Sequence, residues 1–383
     1  MIPFDYYPRT RIVFGPGKVD ALGELAGELG ARRALVVSDP GIVQAGHTEH
    51  GLAALRRAGI EAHVFDQVEE NPTTANVDAG VAAARRWEPE IIVGLGGGSS
   101  MDCAKGINFV YTNGGKMQDY WGVGKAAREM LPMIAVPTTA GTGSESQSFA
   151  LISDAKTHAK MACGDKKASF RVALLDPLLT VTQPPRVTAL TGIDAISHAV
   201  ESYVTKARNS ASAAFSREAW RLLSRHFRGV LDRPDDVDAR SGMQLGASFA
   251  GLAIENSMLG AAHALANPLT AEFGIVHGEA IALVLPHVIR FNGPQCQRWY
   301  HELLELAPQT NGLVDVDRAA DKLAELVGQF ASHASLPTRL SERGVVAAAI
   351  PRLAADAARQ WTGTFNPRAV DAATLASIYE AAL

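Results

Sequence analysis

The chain has 383 residues, of which 47% are hydrophobic and 20% are charged, and its net charge is −4. This composition is typical of an ordinary folded protein, with about two domains for this length, and no basic stripe suggests binding to nucleic acid. The N-terminus lacks the basic and apolar regions of a signal peptide, and no apolar run is long enough to span a membrane. We therefore expect a cytoplasmic protein with neither a nucleic-acid nor a membrane partner.

Short β-branched runs alternate with helical stretches along the first half of the chain. The helical stretches, such as residues 24–33 and 77–87, carry apolar residues at intervals of three and four. This alternation is typical of βαβ units and predicts a parallel, Rossmann-like sheet. The runs that we expect to be strands are 34–39, 62–66, 91–96, 133–139 and 172–177.

The alternation ends at Pro184 and Pro185. Beyond them, Ala- and Leu-rich segments such as 214–227 and 316–331 show helical spacing and no strand signal. We therefore predict an α/β dinucleotide-binding domain over residues 1–182 and an all-helical domain over residues 183–383.

A glycine-rich turn, IIVGLGGGSSMDCAKG at 91–106, leads from a predicted strand into a helix that Ser99 or Ser100 could cap. Free N–H groups and the helix dipole at such a point favour an anion such as a pyrophosphate. The turn only approximates the dinucleotide fingerprint, because serine takes the third glycine position and the acidic ribose partner expected about 20 residues later is missing. Both a cofactor site and a tight structural turn fit this pattern.

Two further polar positions lie at predicted strand ends. Asp39 could replace the missing acidic partner from a neighbouring strand, or it could simply cap a turn. The loop VPTTAGTGSE at 136–145 offers the hydroxyls of Thr138, Thr139 and Thr142. Two polar loops at adjacent strand ends together favour a nucleotide ligand.

Asp194 and His198 lie four residues apart in an apolar helical run, so both side chains share one helix face. His263 and His277 follow in a second apolar region. One carboxylate and three imidazoles suit iron or zinc better than calcium or magnesium. The alternative is that these histidines are satisfied core residues, since a separation of 14 positions between two histidines is not an established ligand spacing.

Taken together, these residues closely resemble the iron-containing (group III) alcohol dehydrogenases over essentially the whole chain. The resemblance implies an α/β NAD(P)-binding domain and a helical metal-binding and substrate domain, the architecture shared with dehydroquinate synthase. The motifs that carry it are GGGSSMDCAK at 96–105, PTTAGTGSE at 137–145, DAISHAVE at 194–201, HALANPL at 263–269, VHGEA at 276–280 and FNPR at 365–368.

The resemblance also implies roles for individual residues. The residues that match the family's metal ligands, and so act in catalysis through the metal, are Asp194, His198, His263 and His277. The residues that match its cofactor contacts are Asp39, Asn71, Gly97, Gly98, Ser99, Asp102, Thr138, Thr139, Thr142 and Lys160. We expect NAD in preference to NADP, Fe²⁺ with Zn²⁺ as the alternative, a small alcohol or aldehyde as substrate, and a homodimer or larger homo-oligomer.

One position departs from the family pattern. Many members have a second histidine near the metal where this chain has Asn267, which cannot carry a proton near neutral pH as an imidazole does. Asn267 is a candidate catalytic residue, but one that cannot relay a proton. The rival interpretations are a glycerol dehydrogenase-like or dehydroquinate synthase-like enzyme of the same superfamily, and a non-catalytic nucleotide-binding protein.

Overall fold

The computed structural model of this chain describes residues 3–310 and 315–383. Its strands are β1 (Arg11–Phe14), β2 (Arg33–Val37), β3 (Glu61–Phe65), β4 (Ile91–Gly96), β5 (Gly122–Val123), β6 (Met133–Pro137), β7 (Phe149–Ser153), β8 (Lys160–Gly164) and β9 (Val172–Leu175). The helices of the same half are α1 (Leu22–Glu28), α2 (Pro40–Gln44), α3 (His47–Arg57), α4 (Thr74–Trp87) and α5 (Gly98–Asn113).

Helices joined by loops make up the described residues of the second half, and these residues contain no strand, as predicted. Its helices are α6 (Pro185–Val204), α7 (Ser210–Asp232), α8 (Val237–Glu255), α9 (Ala261–Phe273), α10 (His277–Leu306), α11 (Ala319–His333), α12 (Ile350–Ala357) and α13 (Ala372–Ala382). Two compact units divide at Pro184: one is Tyr7–Gln183, and the other is Pro184–Leu383 with the short stretch that ends at Tyr6. The assignment of 1–182 to the cofactor and of 183–383 to metal and substrate stays a prediction.

Six parallel strands form the main sheet of the first unit, in the order β1-β9-β6-β4-β2-β3. All five predicted strands are found there. Each one ends either at the expected residue or one or two residues before it. The central residues of β2, β4, β6 and β9 are almost fully buried because helices cover both faces of the sheet, which explains the continuous apolar runs of β2, β4 and β6. The predicted fold class, a parallel α/β unit with a helical unit, is confirmed.

The strand order changes direction at β2. The chain passes from β2 to β3 on one side and then crosses to β4 on the other side. In an open α/β sheet, ligands bind beyond the carboxyl ends of the strands at such a switch point. The strand ends concerned are followed by Asp39 after β2 and by Gly97 after β4, so the topology brings two predicted cofactor residues to one sheet edge.

Two features of the first unit were not predicted. β1 is only four residues long and pairs with β9 at the edge of the main sheet. The antiparallel hairpin β7–β8 forms a small second sheet with β5.

None of the helices in the described residues combines the length and the apolar character needed to cross a bilayer.

Candidate cofactor and metal sites

Four side chains from three helices converge in the helical unit: Asp194 and His198 on α6, His263 on α9 and His277 at the first residue of α10. We call these four residues the Asp194 cluster. Oδ1 of Asp194 lies 3.3 Å from Nε2 of His198 and 3.6 Å from Nε2 of both His263 and His277. The structure therefore brings together all four residues that were predicted to hold a metal.

The Asp194 cluster has the geometry and the unsatisfied atoms of a cation site. The ligand atoms of Asp194, His263 and His277 lie within 4.8 Å of one another. Oδ1 of Asp194 and Nε2 of His263 are buried and have no hydrogen-bond partner among the described residues. A buried polar atom left in this way costs about 1–3 kcal/mol. A cation between these atoms would satisfy both of them.

Charge inside the Asp194 cluster shifts the ionisation of its members. Burial opposes ionisation of Asp194, but the three neighbouring imidazoles outweigh it and lower the pKa of the carboxyl group. Burial also disfavours the charged form of His263, yet the carboxylates of Asp194 and Glu201 raise the pKa of this imidazole to about 9. The pocket thus stabilises one added positive charge, either a proton or a metal ion.

Close helix packing sets the distance between the ligands. A Cβ atom at Gly278, the residue after His277, would lie 2.2 Å from the backbone oxygen of Leu190 on α6. Only glycine therefore lets the start of α10 approach the helix that carries Asp194. This contact explains the glycine of the VHGEA motif.

Glu201 is a site residue that the sequence reasoning missed. Its carboxylate is buried, its Oε2 lies 2.6 Å from Nδ1 of His263, and its Oε1 accepts a hydrogen bond from the backbone N–H of Ala262 at 2.7 Å. A signal was present, because Glu201 is three residues after His198 and seven after Asp194, on the same face of α6. A carboxylate on that face of a buried helix indicates a partner for a ligand.

Asn267 lies one turn after His263 on α9. Its Nδ2 donates a hydrogen bond to Oε1 of Gln360 at 3.0 Å. The observed contact is with another side-chain amide, and the catalytic role of Asn267 stays a prediction.

In the α/β unit, the glycine turn ends at the N-terminus of α5. The expectation that Ser99 or Ser100 caps this helix is wrong: the N-cap is Gly97, which has no side chain to fill that role. The hydroxyl of Ser99 instead accepts a hydrogen bond from the N–H of Asn71, and that of Ser100 donates to Asp39. Within the described part of the chain, no side chain caps the first N–H groups of α5, as an anion site requires.

Glycines allow the turn to approach the threonine loop closely. Gly96 has a φ of +150°, which residues with a side chain rarely adopt. A Cβ atom at Gly98 would lie 2.7 Å from Cγ2 of Thr142, and one at Gly97 would lie 3.4 Å from Cγ2 of Thr139. The two predicted loops are therefore direct neighbours.

Thr138 and Asn71 lie at the same edge of the sheet. The hydroxyl of Thr138 is buried without a hydrogen-bond partner among the described residues, while its N–H donates to the carbonyl of Gly96. Asn71 adopts a left-handed conformation, with φ of +54°, which asparagine tolerates better than most residues. Its N–H bond to Ser99 connects it to the glycine turn.

Asp39 caps α2, since its Oδ1 accepts a hydrogen bond from the N–H of Ile42 at 3.1 Å. Its Oδ2 accepts a hydrogen bond from the hydroxyl of Ser100 at 3.1 Å, which places the carboxylate beside the glycine turn. The structure therefore shows the capping role, and it also places Asp39 at the switch point where a ribose partner was expected.

Asp102 and Lys160 have surroundings of different kinds. Asp102 is buried and accepts hydrogen bonds from the hydroxyl of Ser144 and the N–H of Leu151, so its observed contacts join α5 to the threonine loop and to β7. Burial raises the pKa of Asp102, against the opposing charges of Lys105 and Lys160. Lys160 itself is exposed at the start of β8. Cofactor roles for both residues stay predictions.

Two family models match nearly the whole chain: iron-containing alcohol dehydrogenase over residues 8–177, and the C-terminal part of the Fe-containing alcohol dehydrogenase family over residues 188–383. The chain is 35% identical over 382 residues to 1,3-propanediol dehydrogenase of Klebsiella pneumoniae, covering 99% of this chain and 98% of that protein. It is 32% identical to NAD-dependent methanol dehydrogenase of Bacillus methanolicus, covering 97% of both. A crystal structure of 1,3-propanediol oxidoreductase matches with a TM-score of 0.96 and 34% identity over 100% of both chains.

Proposed function

The chain belongs to the iron-containing alcohol dehydrogenase family, and from this premise we propose that the Asp194 cluster holds the divalent metal on which its activity depends. The protein is an NAD(P)-dependent alcohol dehydrogenase, which transfers a hydride between a small alcohol, or its aldehyde or ketone, and a nicotinamide cofactor. The family and the activity expected from the motifs are confirmed. The matched relatives are alcohol dehydrogenases, which removes the support for a lyase or a non-catalytic protein.

The observation that carries the metal proposal is a pair of buried atoms, Oδ1 of Asp194 and Nε2 of His263, that have no hydrogen-bond partner among the described residues. One carboxylate with three imidazoles suits Fe²⁺ or Zn²⁺, and the family's iron content favours Fe²⁺. When bound, the metal supplies Lewis-acid polarisation of the substrate oxygen, which lowers the pKa of an alcohol. The residues of the cluster contribute a fixed negative charge and three oriented imidazoles.

We further propose that the glycine turn holds the pyrophosphate of NAD. The N–H groups of Gly97, Gly98 and Ser99 lie at the start of a helix that no side chain of the described residues caps. The hydroxyl of Thr138, which has no hydrogen-bond partner among these residues, lies at the neighbouring strand end. Asp39 favours NAD over NADP, because its carboxylate accepts hydrogen bonds from ribose hydroxyls and repels a 2′-phosphate. The other proposed cofactor contacts are Asn71, Asp102, Thr139, Thr142 and Lys160.

A single set of measurements tests both proposals. The purified enzyme is stripped with a chelator, reloaded with Fe²⁺ or Zn²⁺, and assayed with a panel of small primary alcohols and diols with NAD and with NADP. We expect one metal ion per chain, loss of NADH production on stripping, recovery on reloading, and a preference for NAD. Full activity in a protein without metal would contradict the metal proposal.

The homodimer or larger homo-oligomer stays a prediction from the family resemblance, and the cytoplasmic location stays a prediction from the sequence pattern. Light scattering coupled to size-exclusion chromatography measures the mass in solution directly. A monomer of 40.6 kDa would contradict the predicted oligomer.

A further inference from the structure

A buried carboxylate lies behind one of the proposed ligands. Glu201 contacts Nδ1 of His263, the ring nitrogen remote from Asp194, at 2.6 Å. A carboxylate only accepts hydrogen bonds, so Nδ1 must donate and carry the proton. In the neutral ring, Nε2 is then left with its lone pair directed towards Asp194, which is the tautomer that a metal ligand requires.

Glu201 is itself held in place at the start of α9. Its Oε1 accepts the N–H of Ala262, while the N–H of Ala261 donates to Oδ1 of Asn366 at 3.2 Å. A Cβ atom at Gly260 would lie 3.0 Å from both Oε1 of Glu201 and Oδ1 of Asn366, so glycine permits the two acceptors to share this helix end. The two side-chain oxygens, Oε1 of Glu201 and Oδ1 of Asn366, thus accept hydrogen bonds from N–H groups that an α-helix leaves free at its start.

Asn366, from the FNPR motif, is fixed by a second buried amide. Asn366 and Asn292 exchange two hydrogen bonds, of 2.8 Å and 3.1 Å, and both side chains are almost completely buried. Arg368 donates to the carbonyl of Phe291, and its guanidinium lies 4.2 Å from the centre of the Phe291 ring. The C-terminal motif therefore anchors the same helix end that Glu201 contacts.

We propose that Glu201 is a positioning residue of the metal site: it fixes the tautomer and orientation of His263, and Asn366 holds the helix end that Glu201 contacts. The inference rests on the proposed metal site. Carboxylates that bind the remote nitrogen of a metal-ligating histidine raise metal affinity by about 10- to 100-fold in other proteins. Here the same arrangement would explain why a carboxylate is buried seven residues after Asp194.

The substitution Glu201→Gln separates positioning from simple packing. Glutamine has the same size but only one side-chain oxygen, whereas Glu201 accepts from both Ala262 and His263. If the glutamine oxygen keeps the bond to Ala262, its NH₂ group faces Nδ1 and favours the tautomer with the proton on Nε2. That tautomer cannot bind a metal without first losing the proton.

The test uses full-length protein stripped of metal and titrated with Zn²⁺ against a chelating dye, with the visible spectrum of the Co²⁺-loaded protein as a second readout. We expect Glu201→Gln to weaken Zn²⁺ binding about 10- to 100-fold and to alter the Co²⁺ spectrum. Asn366→Ala should weaken binding in the same direction by a smaller factor. The matched control is Glu218→Gln, the same chemical change at a partly exposed pair with Arg221 on α7, which should leave both readouts unchanged.

The outcomes separate the inference from the proposed function. If His263→Ala still binds Zn²⁺ as wild type does, the proposed metal site itself is wrong. If His263→Ala loses the metal while Glu201→Gln keeps wild-type affinity and spectrum, and only the melting temperature of the stripped protein falls, then Glu201 serves packing alone and the inference is overturned. Should Glu201→Gln fail to fold, Asn366→Ala decides: unchanged Zn²⁺ affinity in that variant overturns the inference.

Discussion

The two candidate sites of this protein are built from different parts of the chain. In the unit Tyr7–Gln183, the proposed pyrophosphate site consists of backbone N–H groups at the start of α5, with glycines that leave room for a ligand. In the helical unit, the Asp194 cluster consists of side chains from three helices. The most distant pair, Asp194 and His277, is 83 positions apart in the sequence. One site depends on a local turn, and the other depends on helix packing.

This difference determines how each site responds to change. A backbone site is insensitive to the identity of most of its side chains and sensitive to any added Cβ atom. A side-chain site fails when one ligand is removed, and it also fails when the helices that carry the ligands move apart. Substitutions at the ligands and at the glycines of both units can therefore test the comparison directly.

The largest effect is expected for His263→Ala. This change removes a ligand whose Nε2 faces Asp194 and leaves Glu201 buried without its imidazole partner. Because the metal contributes several kcal/mol to transition-state stabilisation, and about 1.4 kcal/mol equals a factor of ten, kcat/KM should fall by at least about 10³-fold.

Elemental analysis and NADH production on the same sample check this prediction. His333→Ala is the control, since His333 pairs with Asp232 on the surface and should retain metal and turnover. If His263→Ala contains a full equivalent of metal and is active, the Asp194 cluster is not the metal site.

A smaller but still large effect is expected for Gly278→Ala, which leaves all four ligands in place. The added Cβ would lie 2.2 Å from the backbone oxygen of Leu190, so α6 and α10 must separate. Overpacking of this kind costs about 1–3 kcal/mol, and the separation should weaken Zn²⁺ binding about 10- to 100-fold.

The matched control is Gly328→Ala on α11, where an added Cβ would meet no atom of the described residues within 4 Å. That change should be neutral or slightly stabilising, because alanine favours a helix over glycine by about 1 kcal/mol. Equal Zn²⁺ affinity in the two variants would show that helix approach does not limit the site.

In the α/β unit, Gly98→Ala should weaken NADH binding about tenfold without changing the metal content. The added Cβ would lie 2.7 Å from Cγ2 of Thr142, in the space between the two loops where we propose the pyrophosphate binds. The obstructing atoms belong to the short side chain of Thr142 and not to the backbone, so a small shift of this residue relieves part of the overlap and the cost falls at the lower end of the 1–3 kcal/mol range for overpacking.

Fluorescence titration with NADH measures this effect. Gly27→Ala in α1 is the control, since a Cβ there would have no neighbour within 4 Å in the part of the chain that the structure describes. A loss of metal in Gly98→Ala, or unchanged NADH binding, would contradict the separation between a backbone site and a side-chain site.

Local patterns predicted the fold well because each main strand and helix has its own signal. β2, β4 and β6 are buried on both faces, so their sequences are continuous apolar runs. The alternation of strands and helices ends where α6 begins, at Pro185. β1 and the hairpin β7–β8 escaped prediction, since a four-residue edge strand and a small second sheet produce little periodicity.

The candidate sites could be predicted only in part, because some of their contacts have no local sequence signal. The candidate metal ligands and cofactor loops were predicted through motifs. Glu201 and Asn366, in contrast, contact His263 and one helix end across 62 and 105 residues of sequence. Sequence spacing does not reveal which helices pack together. The cap assigned to Ser99 or Ser100 failed because α5 begins at Gly98, and no local signal distinguished that start from one two residues later.

The smallest effect is expected at Asp39, where a side chain contributes to the otherwise backbone-built site. Asp39 is partly exposed, so solvent screens its repulsion of a 2′-phosphate. Asp39→Gly should therefore raise the ratio of kcat/KM for NADP to kcat/KM for NAD roughly fivefold. This change corresponds to about 1 kcal/mol of free energy. Glycine is tolerated at an N-cap with a loss of only a few tenths of a kcal/mol, so α2 should remain folded.

Asp39→Asn distinguishes charge from shape at this position. Asparagine keeps the size of the side chain and can still accept from the N–H of Ile42, but it removes the negative charge beside Ser100. If repulsion sets the cofactor preference, both variants should shift the ratio towards NADP, and the shift should shrink as salt is added. If the wild-type enzyme already prefers NADP, or if the ratio changes in neither variant, Asp39 serves only as the cap of α2. The α/β site would then select its cofactor through backbone geometry without a charged side chain.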